Sequence, residues 1–137
     1  MGIMEMLKDS VTISSLKEKM YKQNISSLNE FFEQYYGKDV EKARKRFCRS
    51  LAAYSLLCYF LQIKDRHNGN IMLHKSGHIV HIDFGFFLSN APGGGLEKVP
   101  FKLLKEYVDV LGGYRSKFFQ EFRRLFYKYS GREESLC

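Results

Sequence analysis

Two polar motifs, at residues 65–70 and 83–85, enclose a short stretch of alternating apolar residues. Inside that stretch, Lys75-Ser76-Gly77 has the composition of a tight turn, so we predict strands over residues 70–74 and 78–82. Antiparallel strands joined by a tight turn bring their outer ends together. We therefore expect Asn70, which opens the hairpin, and Asp83, which closes it, to lie close to each other.

A long helix is predicted directly before the first motif, over residues 39–61. Residues 51–61 are apolar on every side, which is typical of a helix that enters the middle of a core. We expect this helix to lead the chain straight into Asp65. The residues that recur at steps of four and three, the spacing of one helix face, are Phe47, Leu51, Tyr54, Cys58 and Leu61.

Shorter helices are predicted on both sides of this unit. Residues 28–36 follow Ser27, with Glu30 placed to form a capping box, and end at Gly37. Residues 101–111 end at two glycines, and residues 116–129 place Phe118, Phe122, Leu125 and Tyr129 on one face. Residues 1–27 are interpreted as short helical pieces, and the glycine-rich residues 86–100 as a loop. The predicted fold class is α+β, mostly helical with a small β-hairpin that carries the motifs.

Length, charge and cysteine content narrow the function classes. With 137 residues, the chain forms at most one small domain or a piece of one. A formal charge of +7 favours anionic partners such as a nucleotide or an acidic membrane surface. No aromatic-interleaved nucleic-acid module is visible, so nucleic acid is not an expected partner. The three cysteines suggest no disulfide framework, which is typical of a reducing, cytoplasmic setting.

The longest apolar stretch, residues 51–63, contains Ser55 and Gln62 and is too short to span a bilayer. No transmembrane segment is therefore expected, and any membrane contact should be peripheral.

The two motifs have the residue types that phosphoryl transfer requires. An Asp-x-x-x-x-Asn loop followed by Asp-Phe-Gly is the order in which a phosphotransferase holds metal and nucleotide. Asp83 and Asn70 offer the oxygen ligands that Mg²⁺ prefers. Asp65 and His67 are alternative general bases for an attacking hydroxyl. Arg66 is either a phosphate contact or an internal salt-bridge partner, and we favour the second role.

These motifs resemble the phosphatidylinositol 3-/4-kinase superfamily, whose catalytic loop reads Asp-Arg-His-x-x-Asn and whose metal motif is Asp-Phe-Gly. Residues 62–71, 79–89, 100–103 and 108–113 also look like the beta branch of the type III phosphatidylinositol 4-kinases. The resemblance covers most of the chain. It is strong between residues 50 and 113 and weak before residue 40.

The resemblance implies an ATP-dependent lipid kinase that phosphorylates the 4-hydroxyl of phosphatidylinositol at the cytoplasmic faces of Golgi and endosomal membranes. By the same resemblance, ATP and Mg²⁺ are the cofactors, Asp65 and His67 belong to the catalytic loop, and Asn70 and Asp83 bind the metal. Met72 and Ile82 match apolar positions under the adenine. An activation loop over residues 83–105 selects the lipid headgroup. Its only cations are Lys98, Lys102 and Lys105, which fits a substrate with little charge such as phosphatidylinositol itself.

The resemblance also implies a partial domain. Residues 1–137 match the C-terminal lobe of a protein-kinase-like catalytic domain, with residues 64–72 as the catalytic loop, while the N-terminal lobe and the last helices have no counterpart here. Two alternatives stay open. The chain is a catalytically incomplete fragment that acts as a binding module, or it is a phosphatidylinositol 3-kinase of the same superfamily. Lys64, where 3-kinases usually carry glycine, argues against the latter.

Overall fold

A computed structural model describes residues 2–3, 5–63, 66–84 and 103–132 of the chain. The elements in these residues are β1 (Ser10–Thr12), α1 (Ile13–Lys22), α2 (Leu28–Tyr36), a 3-10 turn (Gly37–Asp39), α3 (Val40–Leu61), β2 (Ile71–His74), β3 (Ile79–His81), α4 (Lys105–Leu111) and α5 (Lys117–Ser130). The expected α+β class is confirmed, with helices predominating over a small sheet.

The three strands form one antiparallel sheet in the order β1-β2-β3. The predicted hairpin is present, with Ile71 opposite His81 and Leu73 opposite Ile79. The expectation of only helical pieces before residue 28 is wrong, because Ser10–Thr12 forms a third strand along β2. Three residues are too few to show strand alternation, and their hydrogen-bond partners lie about sixty residues further along the chain.

The turn between β2 and β3 is pressed against α3. Gly77 has φ = +101°, and a Cβ at this position would lie 2.7 Å from the carbonyl oxygen of Ala43. Only glycine satisfies both the left-handed backbone and the close approach. The hydroxyl of Ser50, also on α3, accepts a hydrogen bond from the backbone N–H of Ile79 at 3.0 Å. The hairpin is therefore fixed to the helix at its turn and at the first residue of β3.

Helix α3 lies at the centre, packed against α2, α4, α5 and β3. It begins one residue later than predicted and ends where predicted. Its last turns are not buried on every side, however, as Leu57, Phe60 and Leu61 are 37%, 55% and 40% exposed. The prediction of all-round burial is wrong there, because among the described elements α5 and β3 pack against this end and leave these three side chains partly exposed. The large buried side chains of the core that surrounds α3 are Ile13, Leu16, Leu28, Phe32, Phe47, Leu51, Ile79, Tyr107, Val110, Leu111, Phe118 and Phe122.

Helix α2 has the predicted bounds and N-cap. The hydroxyl of Ser27 accepts from the backbone N–H of Glu30 at 3.0 Å. The Glu30 carboxylate reaches one residue further back than a capping box requires, accepting from the N–H and the hydroxyl of Ser26. These hydrogen bonds lower the pKa of Glu30.

The last two helices differ from prediction in where they begin and, for α5, in which aromatic residue is buried. Helix α4 begins at Lys105, and residues 101–102 of the expected helix lie outside the described residues. Helix α5 lies one residue later than expected, with Ser116 as its N-cap and not its first residue, and it buries Phe126 together with Phe118 and Phe122. Tyr129 is 57% exposed, so its expected place on the buried face is wrong. Within the described residues, no helix has the length and apolar character needed to cross a bilayer.

Candidate functional site

The first motif joins the hairpin where β2 and β3 begin to separate. The backbone N–H of Ile82 donates to the carbonyl of Asn70 at 2.9 Å, which extends the ladder one pair beyond Ile71 and His81. Asn70 therefore lies opposite the residue that immediately precedes Asp83.

The side chain of Asn70 closes the loop before β2. Asn70 is only 3% exposed, and its Oδ1 accepts from the backbone N–H of His67 at 3.0 Å. Its own backbone N–H donates to the carbonyl of His67 at 3.0 Å.

His67 lies exposed on this loop with its ring over Gly69. The backbone N–H of Gly69 donates to His67 Nδ1 at 3.0 Å. Because Nδ1 is the acceptor, the neutral ring carries its proton on Nε2. A Cβ on residue 69 would lie 2.8 Å from His67 Cε1, so the ring keeps this position only above a glycine.

Arg66 connects the loop to the second motif. Its guanidinium donates to the carbonyls of Ile82 and Asp83, the first at 2.8 Å. It also lies over the ring of Phe84, 5.2 Å from the centroid. The arginine is thus an internal partner, as favoured above, although the contacts described here are with backbone carbonyls and not with a carboxylate.

Asp83 has an uncommon backbone conformation. Its φ of +59° lies in the left-handed region, which costs a residue with a Cβ about 1–2 kcal/mol. Its side chain is exposed, and Arg66 holds its carbonyl. Such backbone strain is concentrated at functional sites in proteins.

One face of the hairpin is lined by half-buried apolar side chains. Met72, expected under the adenine, pairs across the ladder with Val80, and Ile82 follows two residues later on the same face. Ile71 and His81 point to the opposite, buried face. The sequence argument did not select Val80, although strand alternation places it between the two residues that it did select.

Asn68 fastens the loop to two helices. Its Nδ2 donates to Glu106 Oε1 at 3.3 Å, and its Oδ1 accepts from the hydroxyl of Tyr107 at 3.1 Å. Its carbonyl accepts from the backbone N–H of Ser14 at 2.8 Å. Burial, followed by the charge of Glu106, raises the pKa of Tyr107, so this hydroxyl stays protonated. The sequence argument missed Asn68, because both side-chain partners lie almost forty residues away.

A buried histidine of β3 packs the hairpin against α3. His81 stacks on Tyr54 with ring centroids 4.6 Å apart, and its Nδ1 lies 3.9 Å from Cys58 Sγ. Burial, with a smaller contribution from the charge of Arg66, lowers the pKa of His81 to about 4. The ring is therefore neutral at physiological pH.

Three of the predicted site residues, Asp65, Lys98 and Lys102, lie outside the described residues, as does most of the expected activation loop. Within the described part of the chain, no three His, Cys, Asp or Glu side chains gather into a metal cage. Mg²⁺ does not require one, because it is commonly held by one or two protein oxygens together with water and substrate phosphates. The amide oxygen of Asn70 and the carboxylate of Asp83 are of the ligand types that Mg²⁺ accepts, and their joint role stays a prediction.

Comparison with known proteins matches residues 1–130 to the family described as phosphatidylinositol 3- and 4-kinase. The chain is 47% identical over 136 residues to phosphatidylinositol 4-kinase PIK1a of Candida albicans, covering 88% of this chain and 14% of that protein. It is 42% identical to phosphatidylinositol 4-kinase PIK1 of Saccharomyces cerevisiae, covering 90% and 13%. Its identity to phosphatidylinositol 4-kinase beta of Xenopus laevis is 44%, covering 90% and 16%.

The chain thus spans about one seventh of the length of the first of these relatives. The match nevertheless takes in both motifs and all the described helices and strands. The resemblance inferred from the motifs is confirmed, and the chain belongs to the phosphatidylinositol 3- and 4-kinase family.

Proposed function

We propose that this chain is the part of a lipid kinase that transfers the γ-phosphate of ATP to the 4-hydroxyl of phosphatidylinositol. The observation that carries the proposal is the pairing of Asn70 with Ile82, since it brings the loop of the first motif to the start of the second. Phosphoryl transfer depends mainly on positioning and charge stabilisation, and this junction supplies a fixed framework for both. The names of the relatives support a 4-kinase in particular.

In this proposal Asn70 and Asp83 hold Mg²⁺ through their side-chain oxygens. The ion would neutralise charge on the transferred phosphate. The backbone N–H of His67 donates to the side chain of Asn70 and so fixes its orientation. The guanidinium of Arg66 donates to the carbonyl of Asp83 and so fixes its backbone. Met72, Val80 and Ile82 form the apolar surface beneath the adenine.

The hydrogen bond from Gly69 supports different roles for His67 and Asp65. With Nδ1 of His67 accepting from Gly69, the neutral ring carries its proton on Nε2, where it is a donor. This arrangement suits donation to a phosphate oxygen better than removal of a proton. We therefore assign His67 to the phosphate and Asp65 to the attacking hydroxyl.

We assign residues 64–72 to the catalytic loop and residues 83–105 to the activation loop of a protein-kinase-like C-terminal lobe. Lys98 and Lys102 would then lie near the lipid headgroup, where few cations suit a substrate with a single phosphate. A substrate that resides in the bilayer implies peripheral binding at a cytoplasmic membrane face, as at the Golgi or endosomes.

A second candidate is a catalytically incomplete fragment that binds a partner. The exposed Leu57, Phe60 and Leu61 at the end of α3 favour it, because an apolar surface of this kind is usually covered. Nucleotide binding separates the two candidates. Mg-ATP titrated into the 137-residue chain should bind measurably if the site is autonomous, and absence of binding would favour the incomplete fragment.

The function itself is tested in a chimera, in which this chain replaces the matching segment of the Saccharomyces cerevisiae kinase. Phosphatidylinositol 4-phosphate formation is measured in lipid vesicles with radiolabelled ATP. Asp83→Ala in the chimera should abolish turnover while the circular dichroism spectrum stays unchanged. Asp109→Ala, which removes an exposed carboxylate on α4, is the matched control. Near-normal turnover by Asp83→Ala would refute the assignment of the metal site.

A further inference from the structure

The hydrogen bonds of Asn68 join three parts of the chain that are far apart in sequence. Its amide contacts Glu106 and Tyr107 in the first turn of α4, and its carbonyl contacts the first turn of α1. Glu106 is further held by Lys17 of α1, with Nζ 3.0 Å from Oε2. The loop between residues 66 and 70 is therefore connected to α4 through the side chain of Asn68 and to α1 through its backbone carbonyl.

Helix α4, which the Asn68 side chain contacts, directly follows the proposed activation loop. Helix α4 begins at Lys105, where the proposed activation loop ends. The amide of Asn68 therefore connects the catalytic loop with the helix that directly follows the segment that would select the lipid. The buried ring of Tyr107 packs edge-on against Phe47 of α3, with 5.8 Å between the ring centroids. The position of the Tyr107 hydroxyl is therefore fixed by the packing of its ring in the core.

We propose that Asn68 is a positioning residue, whose bridge to Glu106 and Tyr107 fixes the catalytic loop relative to the end of the activation loop. The proposal deepens the proposed function and rests on it for its kinetic part. Asn68 does not itself contact substrate. It acts through its neighbours His67 and Asn70, whose mutual hydrogen bonds hold their shape only while the loop is anchored.

The polarity of the bridge gives a specific test. Asn68→Asp replaces the donor Nδ2 with an oxygen and sets two carboxylates against each other. Adding Glu106→Gln reverses the pair, because the new amide at position 106 then donates to the carboxylate at position 68, while the Tyr107 hydroxyl still has an acceptor. Glu106→Gln alone keeps the acceptor oxygen. Gln34→Glu is the matched control, because Gln34 donates its amide to Glu30 in the same way on the remote helix α2.

Amide hydrogen exchange in the full 137-residue chain reports on the loop without any activity. The amides of Gly69 and Asn70 are hydrogen-bonded within the loop. Asn68→Asp should speed their exchange about tenfold, as expected for a lost hydrogen bond to a charged group. The amides of Phe47 and Leu51 in α3 should be unaffected. The double variant should return exchange to within about threefold of the original, and Gln34→Glu should leave it unchanged.

Tyr107→Phe provides a second variant should Asn68→Asp unfold, since it removes only the hydroxyl and keeps the ring. It should speed loop exchange about threefold or more. Unchanged loop exchange in Tyr107→Phe, or a double variant no better than Asn68→Asp, overturns the proposal. So does a rise in α3 exchange equal to that in the loop, which would mean general destabilisation.

The kinetic part uses the chimeric kinase described above. We expect Asn68→Asp to lower kcat about tenfold or more with a smaller change in KM for ATP, and the Asn68→Asp/Glu106→Gln variant to restore kcat. An unaltered kcat in Asn68→Asp overturns the positioning role. Inactivity of the unsubstituted chimera would instead count against the proposed function, and the exchange data would still decide whether Asn68 positions the loop.

Discussion

His81 lies between Tyr54 and Cys58, where burial lowers its pKa from 6.5 to about 4. As pH falls below 6.5, the unfolded chain takes up a proton on this residue and the folded chain does not. The free energy of unfolding should therefore decrease between pH 6.5 and 4, by up to about 3 kcal/mol from this residue, and should lose nothing more from it below pH 4.

Urea denaturation at about pH 7, 5.5 and 4.5 measures this effect. His81→Phe removes the titrating group and keeps a ring to stack on Tyr54, so its stability should depend less on pH. His78, whose pKa is lowered by burial and by Arg46, contributes in the same direction and leaves a residual slope. Identical pH dependence in both proteins would contradict the prediction.

The position of the His67 ring depends on the glycine beneath it. In Gly69→Ala, the new Cβ would come within 2.9 Å of His67 Nδ1, so the ring must move and lose the hydrogen bond from residue 69. We expect the Nδ1 resonance in ¹⁵N NMR spectra of the imidazole to shift towards that of a solvated ring. Gly2→Ala, in open space, is the control. An unshifted resonance would show that the ring position does not depend on residue 69.

The sequence predicted the motif residues better than the contacts that hold them. Asp83 and Asn70 were selected from residue type and spacing, and Ser27 from a cap that lies within one turn. The role of Asn68 was not predictable in this way, because nothing local marks Glu106 and Tyr107 as its partners. The left-handed conformation of Asp83 was likewise not predictable, since aspartate tolerates it better than most residues but usually has a negative φ.

The contact between the hairpin and α3 can be tested with two glycines. Gly77 and Gly113 both have positive φ, but only Gly77 lies against another backbone, that of Ala43. Gly113→Ala should cost about 1–2 kcal/mol from the conformation alone. Gly77→Ala should cost at least about 1 kcal/mol more, because the turn must also move away from α3. Guanidinium denaturation measures both, and equal losses would contradict the tight packing.

Among the elements, those with strong local signals were predicted and those defined by distant partners were not. The apolar spacing of α3 and the turn at Lys75-Ser76-Gly77 located the helix and hairpin to within about one residue. Strand β1 has no such signal and is defined by pairing with β2. In α5 the periodicity was correct, but the buried stripe follows Phe126 and not Tyr129, because the surface that α5 packs against sets which face is covered.

For the whole molecule, the end of α3 predicts self-association. Leu57, Phe60 and Leu61 form an exposed apolar surface, and such surfaces associate in water. Sedimentation velocity of the 137-residue chain should show oligomers that increase with concentration, and Phe60→Lys should reduce them. Tyr35→Lys, at a similarly exposed aromatic on α2, should have little effect. A strictly monomeric chain at high concentration would contradict this prediction.

The pairing of β1 with β2 has one more consequence. Ser10–Thr12 pairs with the edge of β2 that does not face β3. Without this pairing, the peptide groups along that edge would have no backbone partners. An unpaired edge strand can form backbone hydrogen bonds with an extended segment of another molecule. Removal of the first dozen residues should therefore make the longer strand β2 the edge in place of the three-residue β1, and raise the tendency to strand-mediated association.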